Sequence, residues 1–265
     1  MLKIKNYVMP GTIEEAYELN QKKSARILAG CGWIRMSDAT VQTAIDLSRL
    51  GLDKIEETEE EYIIGAMVTL RQLECHKGLN DLTKGAVRES VRHIVGTQFR
   101  NCATLGGSIF GRFGFSDLCT CFLAMHTEVK LYNAGRVSLE TFMTMKKNTD
   151  ILTHIIVKKI EEPMIYLSQR NTATDFPVIA CCVAKRDGKF IASIGARPKQ
   201  AKLVVDEEGI MKTAVSEEVC QKFAEYVAHN LDFGTNMRGT AKYREYITKV
   251  LVKRACQEIL EMEGK

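Results

Sequence analysis

The sequence predicts a mixed fold of two domains, an α/β unit followed by an α+β unit, divided near residue 160. Three observations predict it. The chain opens as strand, helix, strand and glycine turn; the pattern changes around Glu161-Glu162-Pro163; and beyond it a hairpin signal precedes two long helices. A length of 265 residues, set against about 100–200 per domain, accommodates that division.

Lys3 to Val8 reads as a short strand ended by Pro10-Gly11. Thr12 with Glu15 three residues on makes a capping box for a helix through Asn20. Arg26 to Ala29 has a buried-strand pattern, broken by Gly30-Cys31-Gly32, whose glycines tolerate positive φ. After the acidic stretch Glu56 to Glu61, Tyr62 to Ala66 reads as a strand, and Thr69 with Gln72 as a helix start. Leu82 to Val95 carries apolar residues near helical spacing, and Ala103 to Ile109 reads as a glycine-interrupted strand. Ser116-Asp117 caps an apolar helix from Leu118 to Met125. Glu128 to Tyr132 and Val137 to Leu139 flank a turn at Asn133-Ala134-Gly135, and Ile151 to Val157 is a further strand. Val178 to Ala184 and Phe190 to Ala196 flank Asp187-Gly188, a strong hairpin signal. Helices from about Ser216 to Asn230 and Thr240 to Met262 complete the chain, and no internal repeat is visible.

Composition narrows the function. With 45% hydrophobic and 26% charged residues, four prolines and nineteen glycines, the chain has the material for a core and is neither fibrous nor disordered. A net charge of +4 without a basic block interleaved with aromatics argues against nucleic-acid binding. Apolar runs such as Val178 to Ala184 fall far short of the ~20 residues that span a bilayer, and the start has no secretory signal, so a cytoplasmic protein is expected. Nine cysteines, odd in number and irregular in spacing, fit a reducing compartment and read as small buried hydrophobes. His76, His93, His126, His154 and His229 include no i, i+4 pair and stand near no Cys-x-x-Cys, so no metal site is expected.

What remains is glycine chemistry. Gly30-Cys31-Gly32 follows a strand, and Gly106-Gly107-Ser108 follows Ala103-Thr104-Leu105 and precedes a capped helix. Each can turn successive N–H groups toward a phosphate with no Cβ in the way. Neither is a Walker loop or a G-x-G-x-x-G turn, and on spacing alone each reads first as structural. Two such turns together point to a pyrophosphate.

Leu28-Ala29-Gly30-Cys31-Gly32-Trp33-Ile34 resembles the first flavin motif, usually Ala-Gly-Gly-Thr-Asp-Leu, of the FAD-binding medium subunits of molybdenum hydroxylases, the xanthine dehydrogenase and carbon monoxide dehydrogenase family. Ala103-Thr104-Leu105-Gly106-Gly107-Ser108-Ile109, with Ser116-Asp117-Leu118 downstream, resembles its second and more specific motif, Ala-Thr-x-Gly-Gly-Asn-Ile followed by Ser-Asp-Leu. The likeness extends through Asp150-Ile151-Leu152, Tyr166 to Asp175, Ala192 to Pro198 and Tyr243-Arg244, nearly the whole chain.

The resemblance implies an α+β fold: an FAD-binding domain over 1–158, made of two α/β subdomains at about 1–54 and 55–158, then a C-terminal domain over 159–265 with a three-stranded antiparallel sheet and helices. It implies a cofactor, FAD, and partners: a molybdopterin-binding large subunit and a small subunit with [2Fe–2S] clusters, from which electrons pass through FAD to NAD+ or another acceptor. Leu28, Ala29, Gly30, Cys31, Gly32, Trp33 and Ile34 are then expected to wrap the pyrophosphate. Ala103, Thr104, Leu105, Gly106, Gly107 and Ser108 are expected to hold phosphate and ribitol oxygens. Ser116 and Asp117 would serve as cofactor acceptors as well as helix cap, and Leu152 would pack on the flavin. No catalytic acid or nucleophile is expected on this chain, because the flavin carries the chemistry.

The departures are specific. Cys31-Gly32-Trp33 replaces Gly-Thr-Asp, losing a hydroxyl and a carboxylate and adding the chain's single tryptophan, which packs either on the cofactor or between subdomains. Gly114 stands where proline is common, Ile94 where some members carry an aromatic, and Tyr166-Leu167-Ser168-Gln169 lacks a lysine found in some relatives. An insertion with four cysteines, the mark of members with a [4Fe–4S] cluster, is missing. Two other functions fit the residues: a flavin-free assembly subunit of the same complex, or a stand-alone flavoprotein reductase.

Overall fold

The computed structural model describes residues 1–212 and 216–263. In chain order the first elements are β1 (Lys3–Val8), α1 (Ile13–Asn20), β2 (Ala25–Leu28), β3 (Thr40–Asp46), β4 (Ile55–Glu57) and β5 (Glu61–Gly65). Six short helices and two strands follow: α2 (Leu70–Cys75), α3 (Lys77–Leu82), α4 (Ala86–Arg92), α5 (Thr97–Arg100), α6 (Leu105–Gly111), α7 (Asp117–Leu123), β6 (Thr127–Leu131), β7 (Gly135–Ser138). Then come α8 (Leu139–Thr144), β8 (Leu152–Lys158), β9 (Met164–Gln169), β10 (Ile179–Arg186), β11 (Lys189–Gly195), β12 (Lys202–Val205), α9 (Glu217–His229) and α10 (Ala241–Glu263).

Two compact units result. The first comprises Met1–Gln72, Thr97–Gly111 and Thr127–Lys158; the second comprises Leu73–Gly96, Arg112–His126 and Lys159–Lys265. In the first unit β1 and β2 both pair with β3 in parallel, giving the order β1-β3-β2. Thr12 caps α1, its Oγ1 accepting from the Glu15 N–H, and Glu15 Oε2 reaches back one residue beyond the cap to accept from the Gly11 N–H. β3 is central because Val41, Ala44 and Ile45 are buried against both neighbours. The other sheet of this unit is antiparallel throughout, in the order β4-β5-β8-β6-β7.

The second unit is built on an antiparallel sheet ordered β12-β11-β10-β9, so the expected three strands are extended by the short β12. Asp187 and Gly188 both take positive φ, as the two-residue hairpin turn demands. β10 is buried on both faces. Ile179, Cys181 and Val183 belong to a core with Phe223, Val227, Val252 and Ile259 of α9 and α10, while Cys182 on the other face meets Cys121 of α7. Two motif arginines are scaffolding. Arg244, 1% exposed, donates to the carbonyls of Val178, Ala196 and Gly239 and to Asn236 Oδ1, and buried Arg197 donates to those of Ile194, Gln200 and Asp232.

Two sequence expectations change. The single helix expected over Leu82 to Val95 is broken, because Lys84 and Gly85 take left-handed φ and Asn80 bridges the break, accepting from the Arg88 N–H. The strand expected at Ala103 to Ile109 is α6 from Leu105 onward; only Thr104 keeps a bridge, to Thr69. All nine cysteines are free thiols; six are buried as small hydrophobes, whereas Cys31 is half-buried and Cys75 and Cys102 are exposed, against the expectation that all nine are buried. None of the described helices is long and apolar enough to cross a membrane.

Candidate functional site

The carboxyl ends of parallel strands are where α/β sheets expose turns and unpaired amides. At the end of β2 the chain turns through Ala29 to Trp33, and the residue with positive φ is Cys31, at 55°, not either glycine. The glycines serve close approach instead. A Cβ on Gly30 would stand 2.1 Å from the Cys102 carbonyl oxygen, and one on Gly32 would stand 2.8 Å from the Phe99 ring. A Cβ on Gly106 would meet Ala66 at 2.5 Å, and one on Gly107 would lie 3.1 Å from Thr104 Oγ1 and 3.3 Å from Ala29 Cβ. The missing side chains therefore let the two glycine segments pack on each other and on their own unit. Direct room for a ligand is not what these four directions provide.

The two turns differ in what they can still donate. In the second, the N–H groups of Leu105, Gly106, Gly107 and Ser108 are already spent on Val68 O, Ala66 O, Thr104 Oγ1 and Thr104 O. The Thr104 hydroxyl, which accepts from Gly107, keeps its own proton to donate. In the first turn, the N–H groups of Gly30, Cys31 and Gly32 have no acceptor among the described residues. Three successive amides without an internal acceptor at a strand end are available to an outside acceptor. The Cys31 thiol bonds back to the Ala29 carbonyl, and burial together with the Asp46 charge raises its pKa, so it stays a neutral wall of the turn. Trp33 is 45% exposed, and Leu152 is buried at the start of β8.

A model of the FAD binding domain in molybdopterin dehydrogenase matches residues 2–165, more than half of the chain. The chain belongs to this family. It is accordingly an FAD-binding subunit of an oxidoreductase. It is 26% identical over 256 residues to YgfM of Escherichia coli K12, covering 94% of each chain. It is 23% identical to the glyceraldehyde dehydrogenase medium chain of Sulfolobus acidocaldarius over 278 residues, covering 96% of this chain and 98% of that one. Over 279 residues it is 23% identical to the nicotine 6-hydroxylase medium subunit of Paenarthrobacter nicotinovorans, covering 95% and 96%. Among solved structures it resembles quinoline 2-oxidoreductase from Pseudomonas putida 86 with a TM-score of 0.85 at 16% identity, over 97% of this chain and 96% of that chain. Carbon monoxide dehydrogenase from Hydrogenophaga pseudoflava gives 0.83 at 22% identity, over 95% and 96%. These likenesses fix the fold.

The remaining motif residues of this FAD-binding family member lie in the second unit. Ser116 caps α7, its Oγ accepting from the Cys119 N–H at 3.1 Å. Asp117 is buried, and its Oδ1 accepts from both the Tyr166 hydroxyl and the Arg170 guanidinium, which is 6% exposed like the carboxylate itself. Burial pushes the Asp117 carboxyl up and the Tyr166 phenol well up, with Arg170 pulling both down in part. Arg170 also donates to Ser168 Oγ and to the Asp175 carbonyl, so the motif from Tyr166 to Asp175 is one hydrogen-bonded assembly. Sequence reading missed these partners because only the fold sets α7 beside β9. It also missed a cavity of about 550 Å³ in the first unit, lined by Thr12, Arg49, Lys130, Tyr132 and His154, residues without any shared motif.

Proposed function

We propose that this chain is the electron-transfer medium subunit of a multi-subunit molybdopterin-dependent hydroxylase, taking electrons from [2Fe–2S] clusters on a small partner and passing them through FAD to NAD+ or another acceptor. The single observation that carries the reading beyond family membership is the run of unpaired amides at Gly30, Cys31 and Gly32, open where the usual motif has lost its hydroxyl and carboxylate. Bound FAD supplies exchange between single-electron and two-electron transfer. The chain's own residues bind and orient it. The first-turn amides hold the pyrophosphate, the Thr104 hydroxyl donates to a cofactor oxygen, and Leu152 offers an apolar wall. A large molybdopterin subunit oxidises the substrate, and the relatives named as medium subunits of glyceraldehyde dehydrogenase and nicotine 6-hydroxylase support that division of labour. We place the domain border at 158/159 and the protein in the cytoplasm, a reading supported by nine free thiols.

The test is flavin content. The full chain, expressed and purified, is expected to be yellow or to take up added FAD stoichiometrically, and to release flavin on denaturation. A folded chain that neither carries nor takes up FAD overturns the reading in favour of a flavin-free assembly subunit. A protein that reduces a substrate alone, with no partner copurified, would favour the stand-alone reductase.

A further inference from the structure

We propose that His126, Glu162 and Asp187 form a binding site for a divalent transition-metal ion, of which Zn²⁺ is the best match. The three come from separate segments of the second unit: His126 from the turn after α7, Glu162 from the connection between β8 and β9, and Asp187 from the β10–β11 turn. His126 Nε2 lies 3.1 Å from Glu162 Oε2 and 3.7 Å from Asp187 Oδ1. One ligand atom from each lies within 4.8 Å of the others.

Those separations match a coordination polyhedron. Zn²⁺ binds imidazole nitrogen and carboxylate oxygen at about 2.0–2.2 Å, and a tetrahedron with such bonds has edges of roughly 3.4 Å. The two edges to His126 straddle that value, and the third, between the two carboxylates, lies within 4.8 Å, so the side chains can close on an ion by adjusting the carboxylates. The donor set of one imidazole and two carboxylates suits a borderline ion, whereas Mg²⁺ or Ca²⁺ needs six or more oxygens. The His126 and Glu162 side chains are 19% and 23% exposed and Asp187 is 78% exposed, leaving a fourth position for water on the Asp187 side. Glu162 is fixed in advance, since its Oε1 accepts the Asp187 N–H at 2.8 Å. Imidazole and carboxylate ligate only in their deprotonated forms, so affinity falls as pH falls. The effect of the ion is to tie the β10–β11 turn to the exit of α7.

The site was invisible to spacing rules, because its members stand 36 and 25 residues apart. The test uses the full chain stripped with chelator and titrated with zinc sulfate by calorimetry, with thermal unfolding in parallel. One equivalent of Zn²⁺ is expected to bind and raise Tm, and Mg²⁺ to do neither. His126→Ala should weaken binding at least tenfold. Glu162→Gln keeps the Asp187 N–H acceptor, guards against misfolding of the first variant, and should weaken binding similarly. No heat and no Tm shift at up to about 100 µM Zn²⁺ overturns the proposal. So does binding unchanged in both variants, which would assign the ion to exposed thiols such as Cys75 and Cys102.

Discussion

Gly30→Ala is the most direct perturbation of the proposed cradle. The added Cβ would stand 2.1 Å from Cys102 O and 2.6 Å from Cys102 C and Ala103 Cα, all main-chain atoms that no rotamer change can move aside. A carbon sits about 3.3 Å from a carbonyl oxygen at its closest comfortable approach, so the two segments must part by roughly 1.2 Å. Overpacking of this kind costs about 1–3 kcal/mol, with the upper end expected where backbone must shift. At about 2–4 °C per kcal/mol, the Tm should fall by roughly 6–12 °C. The same shift carries the Gly30, Cys31 and Gly32 amides away from their ligand. Losing one charge-assisted bond of about 1.5–3 kcal/mol weakens FAD binding at least about tenfold. The assay is flavin absorbance per mole of protein after desalting, with a thermal melt. Gly11→Ala is the control, since its Cβ meets nothing nearer than Glu15 Oε2 at 4.0 Å and the N–H donor is kept. Wild-type flavin content and Tm in Gly30→Ala would refute the packing argument.

Gly107→Val places a branched side chain between Thr104 Oγ1 and Ala29 Cβ, at 3.1 and 3.3 Å from its Cβ, and should abolish FAD retention while circular dichroism stays native. Unchanged flavin content in the folded variant would show that the second turn is purely structural. Arg244→Met removes donors from the carbonyls of Val178, Ala196 and Gly239; with buried acceptors orphaned at about 1–3 kcal/mol each, denaturant melts should show a loss of at least about 3 kcal/mol. His154 is half-buried, its Nδ1 has no hydrogen-bond partner among the described residues, and burial with nearby Lys130 holds its pKa below the usual value against the pull of Glu56. The unfolded chain then binds this proton more readily than the folded one, so stability falls as pH drops below about 6.5. His154→Gln should flatten the pH dependence of Tm between about pH 5 and 7, and an unchanged slope would remove His154 from that account.

Local signals were legible where a few adjacent residues settle the geometry. Thr12 with Glu15, Thr69 with Gln72, Ser116, and Asp187-Gly188 all formed the caps and turn their side chains and backbone freedom specify. Elements whose stability comes from neighbours were harder to read. Thr40 to Asp46 carries no strong strand pattern, yet β3 is held by β1 and β2 on either side. Gly106 and Gly107, which interrupt a strand pattern, lie inside α6 because Thr104 caps the turn and Ala66 occupies the space a Cβ would need.

The sequence by itself determined the family, the two glycine segments and the thiols that fill the core, because each depends on residue types at short range. Tertiary structure decided how those segments are used. It packed the second against the first and consumed its amides, left those of Gly30, Cys31 and Gly32 unpaired, and gave Asp117 to Tyr166 and Arg170. It also brought together His126, Glu162 and Asp187, which no local pattern connects. Hydrogen-bond capacity is finite, and which donors remain open depends on what the rest of the fold has already claimed.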